Sequence, residues 1–199
     1  MKLIFDIGCS EGNMLEHFIK KADRVIAFEP NPILFTILVH KFKGTCVKFD
    51  PRALSNDIGE KILHVSNSPG ISTFSNKWMY NSRFSGNGWW PMQMSVPTTT
   101  LDSILLQYGI PYYIKIDVEG HEYEVISGLT QLLPNTIIGF EWAEELFEEL
   151  EMTINHLKNL GYENFGFTDG DDIRWDEEIE WKSFQEDRKS TRLNSSHAN

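Results

Sequence analysis

Short, mostly apolar runs punctuate the chain: KLIFDI at 2–7, RVIAFEP at 24–30, CVKF at 46–49, YYIKIDVEG at 112–120 and TIIGFEW at 136–142. Runs of this length predict strands buried on both faces. Between them the apolar spacing lengthens to that of a helix. In NMLEHFIKKA, Met14, Leu15, Phe18 and Ile19 share one face. NPILFTILVHKF opens with Asn31 as N-cap and Pro32 at the first helical position. TTTLDSILLQYG predicts a short helix capped by Thr or Asp, and HEYEVISGLTQLL a helix closed by Pro134. Residues 144–162 predict an amphipathic helix that ends at Gly161.

Other segments break this rhythm. ALSNDIGEKILHVS predicts strand, turn and strand, with the turn at Asn56–Gly59. Residues 66–97 are rich in Ser, Asn, Gly and aromatics and predict a long loop with at most one strand. ENFGFTDGDDIRW predicts a hairpin turning at Asp169–Asp172. Strand and helix alternate and a hairpin closes the chain, which predicts an α/β sandwich around a mostly parallel sheet. One domain is expected over residues 1–186. Residues 187–199, DRKSTRLNSSHAN, have no apolar period and predict a disordered tail outside the fold.

Composition narrows the partners. The 199 residues are 41% hydrophobic and 24% charged, ordinary for a globular domain, but the net charge is −11. That sign disfavours nucleic-acid backbone and anionic membrane and favours small or neutral partners. Cys9 and Cys46 are too few for a disulfide framework and lack zinc-ligand spacing, so a reducing cytoplasmic setting is expected. The N-terminal MKLIFDIG is too short for a signal peptide, and ILFTILV at 33–39 is too short to cross a membrane.

The candidate chemistry begins in FDIGCSEGN, between the first strand and the first helix. In open α/β sheets ligands sit at the carboxyl ends of the strands. Gly8 and Gly12 would let the backbone turn and approach a ligand with no Cβ in the way. Ser10 and Asn13 could hold polar groups of that ligand or cap the helix. The dinucleotide fingerprint needs a middle glycine, and Ser10 stands there instead. No G-K-[ST] follows, which excludes a phosphate-binding P-loop. Asp6, just before the turn, disfavours pyrophosphate and favours a cationic ligand such as S-adenosylmethionine. Glu29 ends the second strand beside Pro30, where an acid accepts hydrogen bonds from ribose hydroxyls. A helix cap and a solvated acid would be the plainer account of each feature alone.

A second cluster, KIDVEGHE, gathers Lys115, Asp117, Glu119, His121 and Glu122 at another strand end. His121 is the natural proton acceptor near neutral pH, Asp117 or Glu119 can orient it or take the proton, and Lys115 can pair with the acids. Acids dressing a helix N-terminus would look the same. Glu141, ending the next strand, can share the crevice and bind substrate hydroxyls; two carboxylates and a histidine can also hold a metal, but none is expected here. Trp78, Tyr80, Phe84, Trp89 and Trp90 crowd the irregular segment with Met79, Met92 and Met94. Trp78, Trp89 and Trp90 are candidates for the face of a sugar or flat acceptor; a self-packed loop or a dimer contact is the alternative.

The elements FDIGCSEG, FEP, ALSN, TLDS and IKIDVEGHEYEVISG, in that order, resemble the FkbM family of S-adenosylmethionine-dependent methyltransferases. The resemblance runs roughly from Leu3 to Leu129. It implies a Rossmann-like three-layer sandwich with a seven-stranded sheet, and O-methylation of a sugar, glycan or small metabolite. Carried over by position, Asp6, Gly8, Cys9, Ser10, Gly12 and Asn13 form the cofactor loop. Glu29 with Pro30 supplies the ribose acid, and Ala53, Leu54 and Ser55 lie near the adenine. Asp117 to Glu122 form the acceptor-side motif, Asp117 also reaching the cofactor. A binding module on the same fold without catalysis is the competing account. A nicotinamide oxidoreductase is disfavoured by the missing glycine and by the lack of a Tyr-x-x-x-Lys pair.

Overall fold

The computed structural model describes residues 1–68, 70–167 and 182–183. Its centre is a five-stranded sheet in the order β3-β2-β1-β7-β8. These strands are β1 (Leu3–Ile7), β2 (Arg24–Phe28), β3 (Val47–Asp50), β7 (Tyr113–Ile116) and β8 (Ile137–Phe140), and every pairing is parallel. The sheet has five strands where the family resemblance implied seven. Three further strands, β4 (Ala53–Leu54), β5 (Gly59–Val65) and β6 (Met92–Thr99), leave it to form a sheet of their own in the order β4-β6-β5. A short antiparallel pair, β9 (Asn164–Phe165) with β10 (Lys182–Ser183), makes a third sheet. The expected hairpin turn at 169–172 and the expected tail at 187–199 lie outside the described residues.

The helices are α1 (Leu15–Lys21), α2 (Pro32–Lys41), α3 (Asn76–Asn81), α4 (Leu101–Tyr108), α5 (Glu122–Ser127) and α6 (Phe147–Leu160). Asn31 caps α2 through its side chain, accepting from the Ile33 N–H at 3.0 Å. The short helix expected within residues 98–109, capped by Thr or Asp, spans Leu101–Tyr108. β-branched Thr98 and Thr99 are better spent in β6, and Thr100 becomes the cap, accepting from the Ser103 N–H. The loop expected at 66–97 holds α3 as well as the start of β6. The predicted helix at 121–133 stops at Ser127: a Cβ on Gly128 would lie 2.5 Å from the Ser55 carbonyl oxygen, so the chain there is pressed against its neighbour.

The pleat sorts the core. Phe5, Ile7, Ile26, Phe28, Ile114 and Ile116 face one side with α4, α5 and the end of α6. Ile4, Val25, Ala27 and Tyr113 face the other with α1 and α2. The chain runs outward from β1 to β3, then returns to the opposite flank of β1 with β7, so the switch point lies between β1 and β7. Among the described residues no helix is long and apolar enough to cross a membrane.

Candidate active site

The turn after β1 is set by crowding. Gly8 and Cys9 both donate their N–H to the Phe28 carbonyl, at 3.2 and 3.1 Å, which draws the turn against the end of β2. Gly8 has φ +78°, and a Cβ there would lie 1.8 Å from the Asp117 carbonyl oxygen. A Cβ on Gly12 would meet Leu38 and Phe42 of the α2 region at 2.8 Å. Both glycines are therefore required by protein neighbours. The expectation that their missing Cβ makes room for a ligand is corrected to this: the space belongs to the β7 end and to α2.

Ser10, with φ 46°, turns its N–H to the Glu29 carboxylate at 2.9 Å, and Asn31 donates to the other Glu29 oxygen at 2.8 Å. Burial pushes Glu29 up to about 7 against the pull of these two donors. Around this carboxylate lies a narrow cleft of about 60 Å³. It brings together Gly8, Ser10, Glu29, Pro30, Ala53, Leu54, Asp117 and Glu119, all picked out from the sequence. Leu34, Arg52, Leu63 and Phe74 are among its other walls and were not foreseen. Arg52 had a signal: it follows Asp50 by two residues, and the two carboxylate oxygens grip its guanidinium at 2.9 and 2.5 Å. Cys9, Gly12, Asn13 and Ser55 do not line the cleft; Cys9 and Gly12 are buried behind it and Asn13 faces solvent.

The pleat places Asp6 on the α1–α2 side of the sheet, fully buried, with Lys115 beside it at 3.6 Å. It is thus not a wall of the cleft, and the expected direct contact with a cationic ligand is corrected to an indirect one. Lys115 links Asp6 to Asp117, 3.0 Å away, and donates to the Gly8 carbonyl at 3.4 Å. Burial alone would lower the Lys115 pKa, but the two carboxylates outweigh it and hold the ammonium above its ordinary value.

Beyond β7 the chain makes an acidic turn. Glu119 sits at φ 55°, and its carbonyl accepts from the Thr73 hydroxyl at 2.6 Å. The Glu122 carboxylate folds back to accept from the N–H groups of Val118 at 2.9 Å and Gly120 at 3.0 Å. It clamps the turn as well as suiting the start of α5. Oxygens of Asp117, Glu119 and Glu141 then lie within 4.8 Å of one another, a spacing that a divalent cation could bridge. Burial and its acidic neighbours push Glu119 up to about 8. Burial, a hydrogen bond with Asp117 and the surrounding charge push Glu141 up to about 9. These carboxyls share protons because like charges this close cannot all ionise.

Both turns fall inside the region that matches a known family: the methyltransferase FkbM domain matches residues 6–164. The chain belongs to the FkbM methyltransferase family. No curated protein and no solved structure matches it. Membership implies methyl transfer.

In this FkbM domain His121 does not face the carboxylates. It is buried, with Nε2 3.0 Å from the Ser55 hydroxyl, Nδ1 3.5 Å from Glu124 and its ring 5.0 Å from that of Phe74. Burial, with Lys61 nearby, pulls its pKa down to about 4. The expectation of His121 as proton acceptor in the crevice is therefore corrected: its ring is spent on protein contacts. The aromatic segment of the FkbM domain divides: Trp78 and Met79 turn inward while Tyr80 faces solvent. Trp78 is buried against Ala143 and Leu146. Trp90 donates its indole N–H to the Ile71 carbonyl at 2.7 Å, and Trp89 is half-buried with its carbonyl accepting from Asn67. None of the three lines the cleft; Trp78 is buried in packing, and Trp89 and Trp90 are half-buried outside it. A roomier cavity of about 440 Å³ lies away from this chemistry, between β8, α6 and β9.

Proposed function

We propose that the cleft binds S-adenosylmethionine and that the acidic turn removes the proton from an acceptor hydroxyl on a sugar, glycan or small metabolite. The convergence of the Glu29 cleft and the Asp117–Glu119–Glu141 group at one switch point carries this reading. The donor set suits the cofactor. Glu29 would hold the ribose hydroxyls, Leu34, Leu54, Leu63 and Phe74 give apolar walls for an adenine, and Asp117 offers a carboxylate to the ammonium group. Bound there, S-adenosylmethionine supplies an electrophilic methyl group on a sulfonium. Ligand pockets commonly hold ~300 Å³ or more, so the cleft has to open at its rim to admit the cofactor.

Glu119 is the best base in the group. A carboxyl raised to about 8 is matched to deprotonating a hydroxyl near neutral pH. Glu141 shares the proton, and Lys115 offsets the charge of Asp117. The unpaired Cys9 and Cys46 suit a reducing, cytoplasmic setting.

Calorimetry with S-adenosylmethionine and S-adenosylhomocysteine tests the first half. Glu29→Gln should weaken both by about tenfold, the size of a lost charge-assisted hydrogen bond. Methyl transfer to a panel of sugar and metabolite hydroxyls tests the second. Glu119→Gln should lower turnover by about 100-fold while affecting cofactor affinity far less. A chain that binds neither compound would refute the proposal.

A further inference from the structure

The walls of the cleft belong to two sheets that share no backbone ladder. Gly8, Glu29 and Asp117 follow strands of the five-stranded sheet, whereas Ala53, Leu54 and Leu63 lie in the three-stranded one. Besides the two-residue link from β3 to β4, side chains hold the two halves in register. On the β3 flank, Asp50 grips Arg52, whose guanidinium reaches the Thr99 hydroxyl. On the acidic-turn flank the joint is His121.

His121 directly follows Glu119 and Gly120 in the turn after β7. Its Nε2 meets the hydroxyl of Ser55, the residue after the Ala53–Leu54 wall. Its ring meets Phe74, itself a wall of the cleft, and the neighbouring Thr73 holds the Glu119 carbonyl. One imidazole thus touches a piece of each wall. Glu124 faces Nδ1 at 3.5 Å; with the imidazole proton on Nδ1, Nε2 accepts from the Ser55 O–H, and with it on Nε2 the ring donates to the Ser55 oxygen while the Ser55 O–H reaches Asn56. Serine, histidine and acid in this order resemble a nucleophilic triad. Ser55 is fully buried, so no substrate carbonyl can reach it, and that chemistry is excluded.

We propose that His121 is a positioning residue: through Ser55 and Phe74 it fixes the wall facing the adenine to the acidic turn that carries Asp117 and Glu119. This inference rests on the cofactor reading of the cleft. It makes the ALSN and EGHE elements two ends of one hydrogen bond, and it gives His121 a role that needs no proton transfer.

The test measures S-adenosylhomocysteine affinity by calorimetry on the full chain, with melting temperature alongside. Ser55→Ala and His121→Ala should each weaken binding by about tenfold, as expected for one buried hydrogen bond. The double variant should be no worse than the weaker single one, because both remove the same bond. His121→Gln, whose amide oxygen can reach the Ser55 hydroxyl, should restore affinity to within about threefold, and its turnover should keep the parent's pH profile across neutral pH. Ser55→Ala removes one oxygen only, so it carries the test if His121→Ala fails to fold. Unchanged affinity in Ser55→Ala and His121→Ala, with the parent chain binding well, overturns this inference alone. So does a His121→Gln chain that binds the cofactor compound normally yet transfers no methyl group, since that is the behaviour of a lost base. A parent chain that binds no S-adenosylhomocysteine overturns the cofactor reading and this inference with it.

Discussion

The turns after β1 and β7 end neighbouring parallel strands and face one crevice, yet they are built by different physics. The first is held by contact. Gly8 and Gly12 have left-handed backbones with no room for a Cβ, and the turn leans on the Phe28 carbonyl. The second is held by charge. Glu119 occupies a left-handed conformation without being glycine, and the Glu122 carboxylate secures the turn by accepting two backbone N–H groups. A turn held by contact is rigid, and pH reaches the first one through Glu29, which accepts the Ser10 N–H. A turn held by carboxylates can share and release protons, as a site that removes a proton requires. The difference also says how each turn should break.

The largest effect should come from the first turn. Gly8→Ala combines a left-handed backbone with a Cβ 1.8 Å from the Asp117 carbonyl oxygen, so the ends of β1 and β7 must part. A loss of about 4 kcal/mol is expected, or roughly 10 °C in melting temperature for a chain of this size. Thermal unfolding measures it, and a variant as stable as the parent would mean that the two turns are not in contact. Because the fault is steric, changing the pH should not repair it.

The second turn should fail more gently. Glu122→Ala leaves the Val118 and Gly120 N–H groups without their acceptor, at a cost of about 2 kcal/mol. Glu122→Gln keeps one carbonyl oxygen and should recover about half of that. Both should lower methyl transfer more than cofactor affinity, since the turn places Glu119. Equal loss of both would mean that the whole cleft has shifted.

These two turns were not equally legible in the sequence. The strand–turn–helix frame followed from apolar runs ending in acids, and the strand ends place Glu29 and Asp117 at one cleft. Positive-φ glycines leave a spacing that can be seen, but not what fills the space beside them, so Gly8 was assigned to a ligand instead of to Asp117. His121 was misplaced for a related reason. Residue type says that an imidazole can accept a proton; only the approach of Ser55, sixty-six positions away, says that it is already occupied. The tryptophans looked like a binding surface because a Ser-, Asn- and Gly-rich segment hides short elements such as α3, which buries Trp78. Strands β4 and β5 were read on either side of the Asn56–Gly59 turn, but their pairing through β6 in a separate sheet was not, because pairing between distant strands leaves no local signature. Arg52 went unnoticed because its one signal, a place two residues after Asp50, is common along chains and names no ligand.

The smallest effect sharpens the contrast most. Glu122, Glu119 and Glu141 are raised by burial and mutual charge from an ordinary 4.5 to about 7, about 8 and about 9. Between 4.5 and those values the folded chain binds more protons than the unfolded one, so their contribution is complete below 4.5 and is lost as pH rises through 7 to 9. His121 runs the other way: its folded value of about 4 lies below 6.5, so its contribution is complete above 6.5 and is lost towards 4. Above pH 6.5 the acids therefore act without that opposition, joined by Glu29 at about 7 beside the first turn, and melting temperature should fall from neutral to alkaline buffer. The drop should be roughly 3 °C, because Glu141 is exposed enough for water to screen much of its share. Glu141→Gln removes the most strongly raised carboxyl and relieves its repulsion on Asp117 and Glu119, so the fall should flatten. An equally steep fall in Glu141→Gln would show that the alkaline sensitivity arises outside this turn, and the contrast between a turn held by contact and a turn held by charge would lose its second half.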